Sequence, residues 1–190
     1  MMAVTFRESE EQAADDISTK KQVKRSDLSY ITGSPPEERA MDPTKMTGLA
    51  LLQAAMAGKI PPASIAETVP MKPDAVEEGY IRIVARADGR HLNPLGGVHG
   101  GFAATVLDSV TGCAVHSTLG AGIGYGTVDL QVKMLRPVPK ESDLIAEGRL
   151  VYASKNVAFA EGTLKTAEGK LLASATATCF IIRPTDQAPQ

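Results

Sequence analysis

Asp108 lies among Ala104, Val106, Leu107, Val110 and Ala114 in a segment with helical periodicity and almost no other charge. A carboxylate in such surroundings marks a candidate functional site. On a helical projection it shares a side with Thr105, Thr111, Gly112 and Val115, opposite the stripe of Phe102, Val106 and Val110. The expected orientation is therefore away from a sheet core and toward a partner. Gly100 and Gly101 open the same helix. A helix start carries unpaired N–H groups and partial positive charge, which can hold a carbonyl oxygen as it becomes negative. The spacing matches neither common phosphate-binding loop. Gly100 and Asp108 are eight residues apart, or ~12 Å along a helix, so one helix cannot present both to one carbonyl. Two copies lying antiparallel across a two-fold axis would bring them together, and the expectation is a homodimer with two equivalent sites.

Other reactive side chains do not converge. His91 and His116 have no neighbours at ligand spacing, and no metal site is expected. Cys113, His116 and Asp108 would spread around one helix, not meet as a nucleophilic set. Cys113 and Cys179 each sit in an apolar stretch, as reduced, buried thiols do.

The elements needed to hold Asp108 and Gly100 can be read from periodicity. A short helix is expected from Asp42-Pro43, with Asp42 as its cap, to Gly58, followed by an extended stretch from Pro61-Pro62 to Met71. The central helix should cover residues 101–118, with Ala103, Leu107 and Ala114 widening its apolar stripe. Strands are expected over residues 80–87, 128–135, 143–153, 157–166 and 171–182. Ala173, Ala175, Ala177 and Cys179 leave room on one face of the last strand for a helix to lie across the sheet. Gly120, Gly122, Gly124 and Gly126 are read as a flexible connection, or more sharply as a gate over a pocket. One helix followed by a meander of strands is an α+β layout, not a doubly wound one.

Residues 1–42 form a charged extension, acidic from Glu8 to Asp16 and basic from Lys20 to Arg25, expected to be mobile. Residues 43–184 form the domain and 185–190 a tail. The 190 residues carry 20 Lys and Arg against 22 Asp and Glu, a net charge of -2, which excludes the basic field of a nucleic-acid binder. The glycine-rich run from Ser109 to Val128 is too polar to span a bilayer, and the acidic N-terminus is no secretory signal. The expected location is the cytoplasm.

The run Asn93-Pro-Leu-Gly-Gly-Val-His-Gly-Gly-Phe-Ala-Ala-Thr-Val-Leu-Asp108, with Gly124-Tyr-Gly-Thr-Val-Asp-Leu-Gln-Val-Lys-Met-Leu-Arg-Pro137 after it, resembles hotdog-fold acyl-CoA thioesterases of the phenylacetate-pathway (PaaI-like) type. The resemblance extends over about residues 46–183. It implies a long central helix wrapped by an antiparallel sheet, and hydrolysis of an acyl-CoA to acid and coenzyme A. It also implies that Asp108 is the catalytic carboxylate, as nucleophile or general base, and that the Gly100 N–H polarises the thioester carbonyl. By the same resemblance Asn93 helps orient thioester or water, His99 braces the loop, and Thr127 positions the attacking water. No cofactor is implied, because coenzyme A enters with the substrate. Arg136, Lys155 and Asn156, with Lys133 and Lys140, are candidates for its phosphates. Self-association as a homodimer, or as two such dimers, is expected. The alternatives are a non-catalytic acyl-CoA sensor, and a hydratase or dehydratase of the same fold, which would want a His beside the carboxylate.

Overall fold

A computed structural model of the chain describes residues 42–184, so the expected tail, and the expected extension up to residue 41, lie outside the described residues. The elements run α1 (Gly48–Met56), α2 (Ile65–Thr68), β1 (Met71–Glu77), β2 (Tyr80–Arg86), α3 (Gly100–His116), β3 (Gly124–Met134), β4 (Asp143–Ala153), β5 (Val157–Thr166) and β6 (Leu171–Ile182). The six strands make one antiparallel sheet in the order β1-β2-β4-β5-β6-β3. The curved sheet wraps α3, which packs on β2 through β6. This is the α+β hotdog architecture expected from the sequence. Among the described residues no helix is long and apolar enough to cross a membrane.

Burial explains the wrapping. Phe102, Val106, Leu107, Val110 and Val115 are buried, as are Ile81, Leu144 and Leu164 of the sheet, and each such side chain contributes about 2 kcal/mol. The depth of α3 is set by a glycine pair. Gly148 on β4 stands opposite Gly162 on β5, and a Cβ on Gly148 would lie 2.1 Å from the Val110 carbonyl oxygen. The helix backbone therefore rests directly on the sheet two residues beyond Asp108. The alanine face of β6 is buried as expected.

Several boundaries differ from the sequence expectation. Asp42 caps only a single 3-10 turn, accepting from the Thr44 N–H and hydroxyl, while α1 starts later with Thr47 as its cap. The segment after Pro62 contains the short α2 and then β1, instead of one extended stretch. β1 escapes the alternation rule because Pro73 and a bulge at Asp74 interrupt it, and edge strands tolerate both. α3 ends two residues early, at His116. Gly124 and Gly126 are not loop: they pair with Ile182 and Phe180 at the start of β3. The helix side assigned to a partner is also partly wrong. Thr111, Gly112 and Val115 are buried within the subunit, while Asp108 is half-buried and bonded to the edge strand β3.

Candidate active site

Asp108 is half-buried on α3, and the Thr127 hydroxyl donates to its Oδ1 at 2.9 Å. Thr127 belongs to the edge strand β3, just before a bulge at Val128 that turns Val128 outward, 66% exposed. The Thr127 side chain also reaches the Cys179 thiol across the β3–β6 ladder. The carboxylate is thus tied to the open rim of the sheet, where a second molecule can approach it.

Gly100 is the first residue of α3, and its N–H makes no hydrogen bond among the described residues. His99 is the cap: its Nδ1 accepts from the Gly101 N–H at 2.9 Å. One orphan donor is satisfied that way and the Gly100 donor is left for something else. A Cβ on Gly100 would meet the Met134 Sδ at 2.6 Å. A cavity of about 310 Å³ opens beside Gly100, lined also by Ala103, Met134, Arg136 and Ala173. Because α3 is unbroken from Gly100 to His116, the ~12 Å between Gly100 and Asp108 holds.

Asn93 closes the loop before α3. Its Oδ1 accepts from the Leu95 and Gly97 N–H groups at 2.9 and 3.2 Å, and its own N–H donates to the Gly97 carbonyl. The amide nitrogen of its side chain makes no hydrogen bond among the described residues, so one end of the amide shapes the loop and the other stays available. His91 is structural. It accepts from the Asp88 N–H, contacts the Thr68 carbonyl oxygen at 2.6 Å, and packs edge-on against Phe102.

The candidate coenzyme A residues are split between the two ends of the sheet. Arg136 donates to the Leu171 carbonyl at 2.7 Å on the rim of the Gly100 cavity. Lys155 and Asn156 form the β4–β5 turn, where the Asn156 carbonyl accepts from the Ile181 N–H and the Arg183 guanidinium donates to the Lys155 carbonyl. Leu171 and Ile181 lie at opposite ends of β6, roughly 33 Å apart at strand rise. A single subunit does not bring these residues together.

Sequence reasoning missed Tyr125. Its ring is packed on Gly112, where a Cβ would lie 2.6 Å from the phenol oxygen, and it tilts against His116 with centroids 5.5 Å apart. Burial raises the phenol pKa well above the ordinary range, and Cys113, Cys179 and Asp108 nearby add to the effect. Burial likewise pushes the Cys113 thiol up to about 11 and lowers the His116 imidazole. Both are held neutral at physiological pH, which fits neither a thiolate nucleophile nor an imidazolium acid. A lone aromatic two residues before Thr127, flanked by glycines, was the signal. Among the described residues, no group of three or more His, Cys, Asp and Glu side chains converges as metal ligands would.

The profile of the thioesterase superfamily matches residues 95–173, which hold the Gly100 start, Asp108, Thr127 and the strands β3, β4 and β5. The crystal structure of a phenylacetic acid degradation-related protein from Ralstonia eutropha JMP134 superposes with a TM-score of 0.63 at 34% identity, over 68% of this chain and 98% of that one. A Halobacterium salinarum protein named as an esterase is 41% identical over 73 residues, 37% of this chain and 47% of its own length. Mouse acyl-coenzyme A thioesterase 13 is 29% identical over 89 residues, 46% of this chain and 63% of its own. The match thus spans about half to under two thirds of these two relatives. Fold, site-bearing segment and the near-complete overlap with the Ralstonia protein agree, and the chain belongs to the thioesterase superfamily.

Proposed function

We propose that this protein hydrolyses an acyl-CoA thioester to free acid and coenzyme A, at two equivalent sites shared across a homodimer. The observation that carries the reading is one helix with an unpaired N–H at Gly100 and, ~12 Å further on, a carboxylate tied to an open sheet edge. Antiparallel pairing of two β3 edges sets Asp108 of one subunit beside the partner subunit's Gly100. The same pairing exchanges the ends of the sheet, so that the Lys155-Asn156 turn of one subunit approaches the rim that carries Arg136 on the other. These residues then share the phosphates of one coenzyme A. The names of the relatives, an esterase and an acyl-coenzyme A thioesterase, support the same chemistry.

The thioester carbonyl oxygen rests on the Gly100 N–H and on the positive end of α3, which stabilise it as it becomes an oxyanion. Asp108 acts in one of two ways. As general base it takes a proton from a water oriented by Thr127 while the water oxygen bonds to the carbonyl carbon. As nucleophile it bonds to that carbon itself, and water then opens the resulting anhydride. Either way the C–S bond breaks, the thiolate leaves and is protonated, and acid is released. Asn93 and His99 hold the loop that presents Gly100. Two such dimers packed as a tetramer would carry the same sites.

The test is thiol release from a panel of acyl-CoAs by the parent protein and by Asp108→Asn. The variant should keep its melting temperature within a few degrees and lose about a hundredfold or more in kcat. Near-parental rates would remove Asp108 from the mechanism.

A further inference from the structure

The acyl group must leave the thioester carbonyl in some direction, and the two directions along α3 differ. Toward the N-terminus lies the open cavity beside Gly100 and Ala103. Toward the C-terminus, Gly112 is one turn beyond Asp108 on the same helix face. Thr127 and Tyr125, two residues apart on β3, meet these two positions in turn: Thr127 bonds to Asp108 and Tyr125 covers Gly112. Without a side chain at Gly112 the ring lies directly on the helix. It is fixed from behind as well, against the buried group of Val115, Ala158, Cys179 and Ile181. Its hydroxyl lies near the Cys113 side chain. Asp108 and the position that the ring covers are one helical turn, about 6 Å, apart along the axis.

We propose that Tyr125 is a specificity-determining residue: its ring forms a wall one turn beyond Asp108 and limits the substrate to a short or compact acyl group. The proposal rests on the reading of Asp108 as the carboxylate at the reacting carbon. It assigns Tyr125 no part in bond making.

The experiment measures kcat/KM for straight-chain acyl-CoAs from short to long, on the parent protein, Tyr125→Phe, Tyr125→Leu and Tyr125→Ala, each checked for a cooperative melt. The parent should fall off steeply once the chain exceeds a few carbons. Tyr125→Phe retains the ring and should keep that limit. Tyr125→Leu and Tyr125→Ala should raise the ratio of long-chain to short-chain kcat/KM by about tenfold or more, because single methylenes in apolar pockets already discriminate at that level. A uniform loss at every length in Tyr125→Leu would show a merely structural ring and overturn the proposal. So would a parent protein that turns over long chains undiminished, a result that needs no variant to fold. Absence of turnover by the parent on every thioester would instead sink the hydrolase reading on which the proposal rests.

Discussion

The sheet has two edges, and they are built differently. β1 is seven residues long, carries Pro73, bulges at Asp74, and pairs that aspartate with the Arg82 Nε at 2.6 Å. Bulges occur on both edges, but short length and proline are means by which natural edges refuse a further strand, and only β1 has them. β3 is eleven residues long without proline, and it exposes Val128 and Met134 by 66% and 54%. An edge of that kind can accept a partner strand. Asp108 is bonded to the open edge and not to the blunted one, so the proposed association and the proposed chemistry fall on the same strand.

Damage to the open edge should have the largest effect. Val128→Pro removes a donor at a bulge, where proline is compatible with the subunit fold. We expect a monomer by sedimentation and kcat lowered by at least about a hundredfold, the scale of losing an oxyanion donor. A dimer with parental kcat would contradict the shared site. Thr127→Val leaves the edge intact and removes only the hydrogen bond to Asp108. A bond to a charged group is worth about 1.5–3 kcal/mol, so kcat/KM should fall roughly tenfold to a hundredfold, with Thr127→Ser recovering most of it. The dimer should persist in both, by sedimentation. On the blunted edge, Asp74→Ala breaks an exposed ion pair worth less than about 1 kcal/mol. Its melting temperature should drop by a few degrees at most, with association and turnover at parental levels. Loss of either would mean that the two edges are not divided in this way.

The same contrast explains what could be read from the chain. β5 is legible because its inward residues alternate throughout, β4 and β6 because theirs alternate over residues 144–148 and 173–181, and α3 because Phe102, Val106 and Val110 recur at helical spacing. β1 is not, since Pro73 and the bulge break its period. The start of β3 is hidden for the opposite reason: its glycines look like loop, yet Gly124 and Gly126 are paired to β6 around the ring of Tyr125. Within the site, Asp108 and Gly100 stand out because charge and glycine are out of place on an apolar helix. Tyr125 on Gly112 and Gly148 under Val110 are contacts between distant segments, and a one-dimensional pattern carries no record of them. The separation of Arg136 from Lys155 and Asn156 likewise follows only from the strand order.

The shared site is tested most directly by mixing two defective subunits. Asp108→Asn lacks the carboxylate, and Gly100→Val covers the helix start; each alone should be nearly inactive as a homodimer. After joint unfolding and refolding, each mixed dimer contains one site with both an intact Asp108 and the partner subunit's intact Gly100. With random pairing, turnover should recover to about a quarter of the parental value. A mixture no more active than the two variants measured separately would place both groups in one subunit and contradict the account.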